Sequence, residues 1–322
     1  MKEEHINRQQ FLKTLTATAV SIFASRLYRG EPPPVPLTYV YKTSGGCEIK
    51  ADVYNLSEGA RKPVVIWIHG GALIMGSRKV PPGWLDPEGR CVVVSIDYRL
   101  APETKLPAII QDIQDAYRWV RERGPKLFRA DPDKLVVAGG SAGGYLTLMC
   151  GFCVSPRPRA LLSLWGYGDI TSAWYSRPSP FYLRQPLVSR EEALQSVGTA
   201  CISEPPENNS RFKFYLYCRQ KGIWPKEVAG HDPGAQPKWF DRYCPVRNVS
   251  AQYPPTMLIH GTADTDVPFE ESVKMDEKLS QFRVEHKFLR VPEGGHGLSG
   301  IDPATQARLF DQAVEFLKVH TS

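Results

Sequence analysis

The chain has 322 residues, enough for one large α/β domain or a domain carrying an inserted subdomain, because single cores stop growing near about 250–300 residues. Its 42% hydrophobic and 23% charged residues sit at globular averages, which excludes a disordered chain and a membrane bundle. The net charge of +6 arises from 40 basic and 34 acidic residues that are interspersed rather than gathered into a basic stripe, so no nucleic-acid partner is expected.

The first thirty residues differ from the rest: a basic start is followed by a run of apolar and small residues from Thr14 to Ser25, the layout of a secretory signal and too short for an integral membrane span. Arg8-Gln9-Gln10-Phe11-Leu12-Lys13 resembles a twin-arginine export motif whose second arginine has become glutamine. Export is therefore one expectation for residues 1–36, and an amphipathic helix on a cytoplasmic protein is the other. After a Pro-rich linker, "LTYVYK" (37–42) and "CEIKADVY" (47–54) flank a Ser-Gly-Gly turn and read as a hairpin. Further strands are expected at 63–69, 91–97, 134–139, 160–165, 255–260 and 284–291, all continuous apolar or β-rich runs. Between them lie helical patterns such as "AIIQDIQDAYRWVRER" (108–123). Strands buried on both faces and alternating with helices predict a mostly parallel sheet covered on both sides, with the hairpin adding antiparallel strands at one edge.

Residues 166–253 break this alternation with many aromatics among prolines. A connection of that length is not a plain loop. It predicts a lid or cap inserted over the carboxyl ends of the strands, between the core segments 37–165 and 254–322. Most of its aromatics are expected to form its own small core. The seven cysteines show no zinc-ligand spacing, and their odd number leaves at least one thiol unpaired. No metal or organic cofactor is implied, and nothing in the sequence indicates an oligomeric state.

Chemistry concentrates in "VVAGGSAGGYL" (136–146), where Gly139-Gly140-Ser141-Ala142-Gly143 fits G-x-S-x-G between a strand and a helix. That context is what a nucleophile elbow needs, the small residues letting the backbone turn tightly enough to expose the Ser141 hydroxyl. A phosphate loop would follow its glycines with Lys-Ser or Lys-Thr, whereas Tyr145 and Leu146 follow here. A serine nucleophile needs a base. His5 and His320 lie near the termini, His231 in the insert and His286 in a strand, while His69 and His260 end strands within glycine-containing turns. His296, in the glycine-rich "PEGGHGLSG" between the last strand and the final helix, is the remaining candidate. The acid is expected between serine and histidine in chain order, where "HGTADTDVP" supplies Asp264 and Asp266. One of this pair is expected to be a turn former that bonds its own backbone. "HGGA" places Gly70, Gly71 and Ala72 after an early parallel strand, where backbone N–H groups can serve an oxyanion together with that of Ala142.

With these residues in view, the chain from Leu37 onward resembles α/β-hydrolase-fold carboxylesterases. "HGGA", "SIDYRLAPE" and "GGSAGG" are similar to the hormone-sensitive-lipase-like esterases, with Ala72 where that family has a fourth-position glycine. The segment "HGTADTDVP" is closer to prolyl-oligopeptidase-like peptidases and to feruloyl or acetylxylan esterases, and its G-x-x-D-x-x-V-P pattern selects Asp264 as the acid. The resemblance implies an α/β-hydrolase fold and cleavage of small-molecule esters of short or medium acyl chains through Ser141, His296 and Asp264. It gives Asp97 and Glu103 bracing roles. A carbohydrate esterase of the feruloyl or acetylxylan kind is an alternative. So is an oligopeptidase-like serine peptidase, although such peptidases carry a large propeller for which these residues have no room. A non-catalytic binder on the same fold would have lost the histidine, and His296 is present. Trp165 and Tyr167, where the insert begins, are the candidates for pocket lining.

Overall fold

A computed structural model describes residues 35–322 except 57, 58, 80 and 87. The export or N-terminal helix expectation falls outside the described residues. Strands β1 (Leu37–Ser44) and β2 (Cys47–Tyr54) form the expected hairpin, closed by Gly45 and Gly46 at φ of 60° and 76°, the left-handed pair that two-residue hairpins require. The remaining strands are β3 (Lys62–Ile68), β4 (Val92–Ile96), β5 (Ala130–Gly140), β6 (Leu161–Leu164), β7 (Thr256–Gly261) and β8 (His286–Val291). They build one eight-stranded sheet in the order β1-β2-β4-β3-β5-β6-β7-β8. β2 pairs antiparallel with both β1 and β4, and every pairing from β4 through β8 is parallel.

The period-2 geometry of the strands divides the core. Val64, Ile66 and Ile68 of β3 face one apolar cluster with the helices α1 (Leu106–Leu127) and α2 (Ala142–Cys153). Val65 and Trp67 face a second cluster that includes Trp84 and Phe310, whose rings stack at 4.4 Å. Phe310 belongs to the last helix, and the two clusters cover opposite faces of the sheet as a buried parallel sheet demands.

Two elements extend furthest beyond the sequence expectation. α1 starts earlier, with Pro107 in its first turn where a missing N–H costs nothing, and runs past Gly124 and Pro125. Gly124 is needed there because a Cβ would stand 2.8 Å from the Phe128 ring. β5 begins four residues before the expected Lys134, because Lys62 of β3 pairs with Ala130 across a register shift.

Between β6 and β7 the chain makes only short helices: α3 (Ala173–Ser176), α4 (Arg190–Leu194), α5 (Phe212–Lys221) and α6 (Trp224–Ala229), plus 3-10 turns. Beyond β7 come α7 (Glu270–Gln281) and α8 (Pro303–Thr321). The insert is tied to the core by buried polar contacts. Arg211 meets Glu103 at 2.6 Å with both side chains about 1% exposed, and Trp224 Nε1 donates to the Ala72 carbonyl at 3.0 Å. Among the described residues no helix is long and apolar enough to cross a membrane.

Candidate active site

Ser141 lies between β5 and α2 with φ 57° and ψ −121°, a left-handed conformation that is costly for a residue with a Cβ. The surrounding glycines allow it. A Cβ on Gly143 would run into the Ile68 carbonyl oxygen, and one on Gly139 into the Gly143 carbonyl. The turn is pinned by the Ser141 N–H donating to Leu164 O at 2.9 Å and by the Tyr145 N–H donating back to Ser141 O at 3.0 Å.

His296 opens a 3-10 turn after β8. Its Nε2 stands 3.1 Å from Ser141 Oγ, and its Nδ1 stands 2.7 Å from Asp264 Oδ2. Asp264 follows β7, and its carboxylate has no solvent exposure. One aspartate of the pair does shape the turn, and it is the acid candidate itself. Asp264 itself accepts the N–H groups of Asp266 and Val267 through Oδ1, both at 2.9 Å, leaving Oδ2 for His296. Burial pushes the Asp264 carboxyl up, but the charge on His296 and hydrogen bonds from His260 and His296 outweigh it and hold the group well below the usual carboxylate range. Burial lowers His296 in turn, yet the charge and hydrogen bond of Asp264, followed by the charge of Asp266, lift it above the ordinary imidazole value.

Two further side chains, His260 and Asp266, stand against this line of contacts. His260, set aside as a strand-ending histidine, is fully buried, with Nε2 3.2 Å from Asp264 Oδ2 and 3.0 Å from Val267 O, and Nδ1 2.7 Å from Ser272 Oγ. The two acceptors at Nε2 place its proton there, so His260 braces the carboxylate from behind. Its spacing four residues before Asp264 is the only trace in the sequence. Asp266, the second acid candidate of the sequence, places its Oδ2 3.7 Å from His296 Nε2.

The Gly70-Gly71-Ala72 strip passes directly against the elbow, since a Cβ on Gly70 would stand 2.9 Å from Gly140 O and 3.3 Å from Ser141 Cβ. Gly71 has φ 106° and its carbonyl accepts the N–H groups of Ile74 and Met75 at 2.9 Å, which curls the strip and requires glycine. Ala72 takes φ 56° despite its methyl group. Ala142 is the first residue of α2, so its N–H has no carbonyl partner within the helix. His69, ahead of the strip, stacks on Tyr98 at 4.3 Å, and burial brings its pKa to about 4. At the far end Arg78 holds Asp97 with its backbone N–H at 2.7 Å and Nη1 at 2.6 Å, while its Nε reaches Asp52 at 3.0 Å.

Trp165 follows β6, edge-on to His296 at 6.4 Å, and a Cβ on Gly140 would stand 3.2 Å from its Nε1. Tyr167 lies deeper, fully buried, stacked on Tyr145 at 5.0 Å and edge-on to Trp174, Tyr175 and Trp224. It packs within the aromatic core beneath the site rather than standing open beside the serine. Among the described residues no group of His, Cys, Asp and Glu could hold a metal, and all seven cysteines are unpaired.

The fold recurs in solved structures. A Staphylococcus aureus protein of unknown function aligns with TM-score 0.73 at 21% identity, covering 89% of this chain and 100% of that one. A thermostable carboxylesterase cloned from a metagenomic library aligns with TM-score 0.68 at 20% identity, covering 98% of each chain. Among curated proteins, esterase LipC of Mycobacterium tuberculosis is 29% identical over 84% of this chain and 62% of its own length. The non-reducing polyketide synthase ausA of Emericella nidulans is 27% identical over 88% of this chain, which spans only 14% of that protein. A family model described as the alpha/beta hydrolase fold matches residues 65–299, from β3 through the His296 turn, and the chain belongs to that family.

Proposed function

We propose that this chain is a serine carboxylesterase, and the observation that carries the reading is the unbroken line of short contacts from Ser141 Oγ through His296 to Asp264. Ser141 attacks the ester carbonyl while His296 Nε2 takes its proton. Asp264 fixes the tautomer with the proton on Nδ1 and stabilises the imidazolium without accepting that proton. The tetrahedral oxyanion sits against the N–H groups of the Gly70–Ala72 strip and Ala142, each worth about 3 kcal/mol of barrier. His296 then protonates the departing alcohol, and a water activated by the same imidazole releases the acid from Ser141. Residues 166–253 act as a cap over this centre, with Trp165 at its edge. Small-molecule esters are the substrates that this machinery and the likeness to esterase LipC support.

Ser141→Ala and His296→Ala are each expected to abolish hydrolysis of p-nitrophenyl acetate and butyrate while leaving the circular dichroism spectrum unchanged. Near-wild-type turnover in either folded variant would overturn the mechanism. A panel adding feruloyl esters, acetylated sugars and an aminoacyl amide separates the carboxylesterase from the carbohydrate-esterase and peptidase alternatives.

A further inference from the structure

Asp266 is the carboxylate the mechanism leaves unused, and the insert holds it with unusual care. Its Oδ1 accepts Arg219 Nη1 at 2.7 Å and the Tyr215 hydroxyl, and its backbone carbonyl takes both Arg219 amino groups at 3.1 Å. Arg219 is itself only 2% exposed. Its guanidinium lies about 5 Å from the ring centres of Trp174, Tyr175 and Tyr182, and its Nη1 donates to the Tyr215 hydroxyl at 2.6 Å. Both Tyr215 and Arg219 belong to α5 of the insert, whereas Asp266 belongs to the loop that carries Asp264. With Oδ1 occupied, the carboxylate turns Oδ2 to within 3.7 Å of His296 Nε2, the atom that also faces Ser141. That separation is beyond a hydrogen bond, so the oxygen acts through its charge and leaves the Nε2 proton free to reach the leaving group.

Resting on the esterase reading above, we propose that Asp266 is a positioning residue for His296, a second carboxylate whose charge, fixed by Arg219 and Tyr215 of the insert, stabilises the imidazolium formed when Ser141 gives up its proton. The charged and titratable groups around the ring are then four: Asp264 at Nδ1, with His260 behind it, Asp266 beside Nε2, and Arg219 beyond Asp266, where its positive charge partly offsets that carboxylate. Tyr215, Tyr175 and Tyr182 enclose Arg219, and their burial keeps their hydroxyls protonated. The insert thereby contributes to proton transfer as well as to covering the site.

The test is the rate at which a fluorophosphonate labels Ser141 as a function of pH, which reads the basicity of His296 without choosing a substrate. Asp266→Asn keeps the acceptor for Arg219 and Tyr215 but removes the charge, and it should move the acid limb down by about one pH unit. Asp266→Glu should restore most of the shift. Arg219→Gln removes the offsetting charge and should move the limb up, so the two variants separate in opposite directions. A merely structural link would slow labelling in both variants with the limb in place, and that result, or a shift of both in one direction, overturns the proposal. If Asp266→Asn does not fold, Arg219→Gln alone decides by the sign of its shift. A wild-type protein that is not labelled at Ser141 would overturn the esterase reading and this inference with it, whereas a labelled wild type with an unmoved limb in Asp266→Asn removes the inference alone.

Discussion

His296 reaches its place through a carboxylate that is already committed on its other oxygen. Because Asp264 Oδ1 is tied to two backbone N–H groups and Oδ2 is shared with His260, the carboxylate cannot rotate away from the imidazole. Asp264→Asn keeps the turn bonds but replaces a charged acceptor with an amide and favours the wrong tautomer of His296. The expected loss in kcat is about 10⁴-fold, against a much smaller loss in Asp266→Asn, and assays of both variants on one p-nitrophenyl ester compare them. The raised pKa of His296 has a direct kinetic sign. The ring must be neutral to act as base, so kcat/KM should rise with pH through a limb above about 6.5, and a limb below that value would contradict the two-carboxylate environment. Ser141 was legible because glycines on both sides of one serine after a buried strand have a steric reason. His260 was not, since a buried histidine at the end of a strand has the same sequence appearance whether it braces a carboxylate or simply fills space.

Elements meet here through charges that no periodicity reveals. The alternation of apolar runs with helical stretches made the parallel sheet and its antiparallel hairpin readable, because strands buried on both faces must be apolar throughout. Inside the insert the helices are short, with four to ten residues each, and their stability comes from docking rather than from amphipathic pattern, so their limits were not readable. The docking of α5 begins at Arg211, which puts two donors on Glu103 at 2.6 and 3.1 Å and one on Ala101 O at 2.6 Å. Glu103 also accepts the Gly198 N–H at 2.7 Å, so the "DYRLAPE" stretch and the insert share one buried ion pair. Replacing only one partner leaves the other charged in a dry site. Arg211→Met should therefore cost about 3–5 kcal/mol, read as a lower urea midpoint with an unchanged slope, whereas Lys213→Met on the exposed face of the same helix should cost less than about 1 kcal/mol.

At the scale of the molecule, the proposed site draws on residues from both sides of the long connection between β6 and β7. The core supplies Ser141, Asp264, His296 and the Gly70–Ala72 strip, while the insert holds the strip through Trp224 and Ala72 O, the acid loop through Arg219, and α2 through the Tyr145 hydroxyl donating to Tyr243 O at 2.8 Å. Glu204 accepts Arg78 Nη1 at 3.1 Å, on the brace beyond the Gly70–Ala72 strip. A lid that merely rested on the opening could unfold first and leave the core active. One wired in at four such points should not, because losing it strips partners from buried groups in the core. Urea unfolding is therefore expected to be a single transition in which tryptophan fluorescence, reporting Trp174, Trp224 and Trp239 in the insert and Trp67, Trp84, Trp119 and Trp165 in the core, coincides with the loss of esterase activity. A fluorescence change that precedes the loss of activity, or activity lost while the far-ultraviolet signal remains native, would show that the insert opens as a separate unit and that its buried contacts do not bind it to the catalytic core.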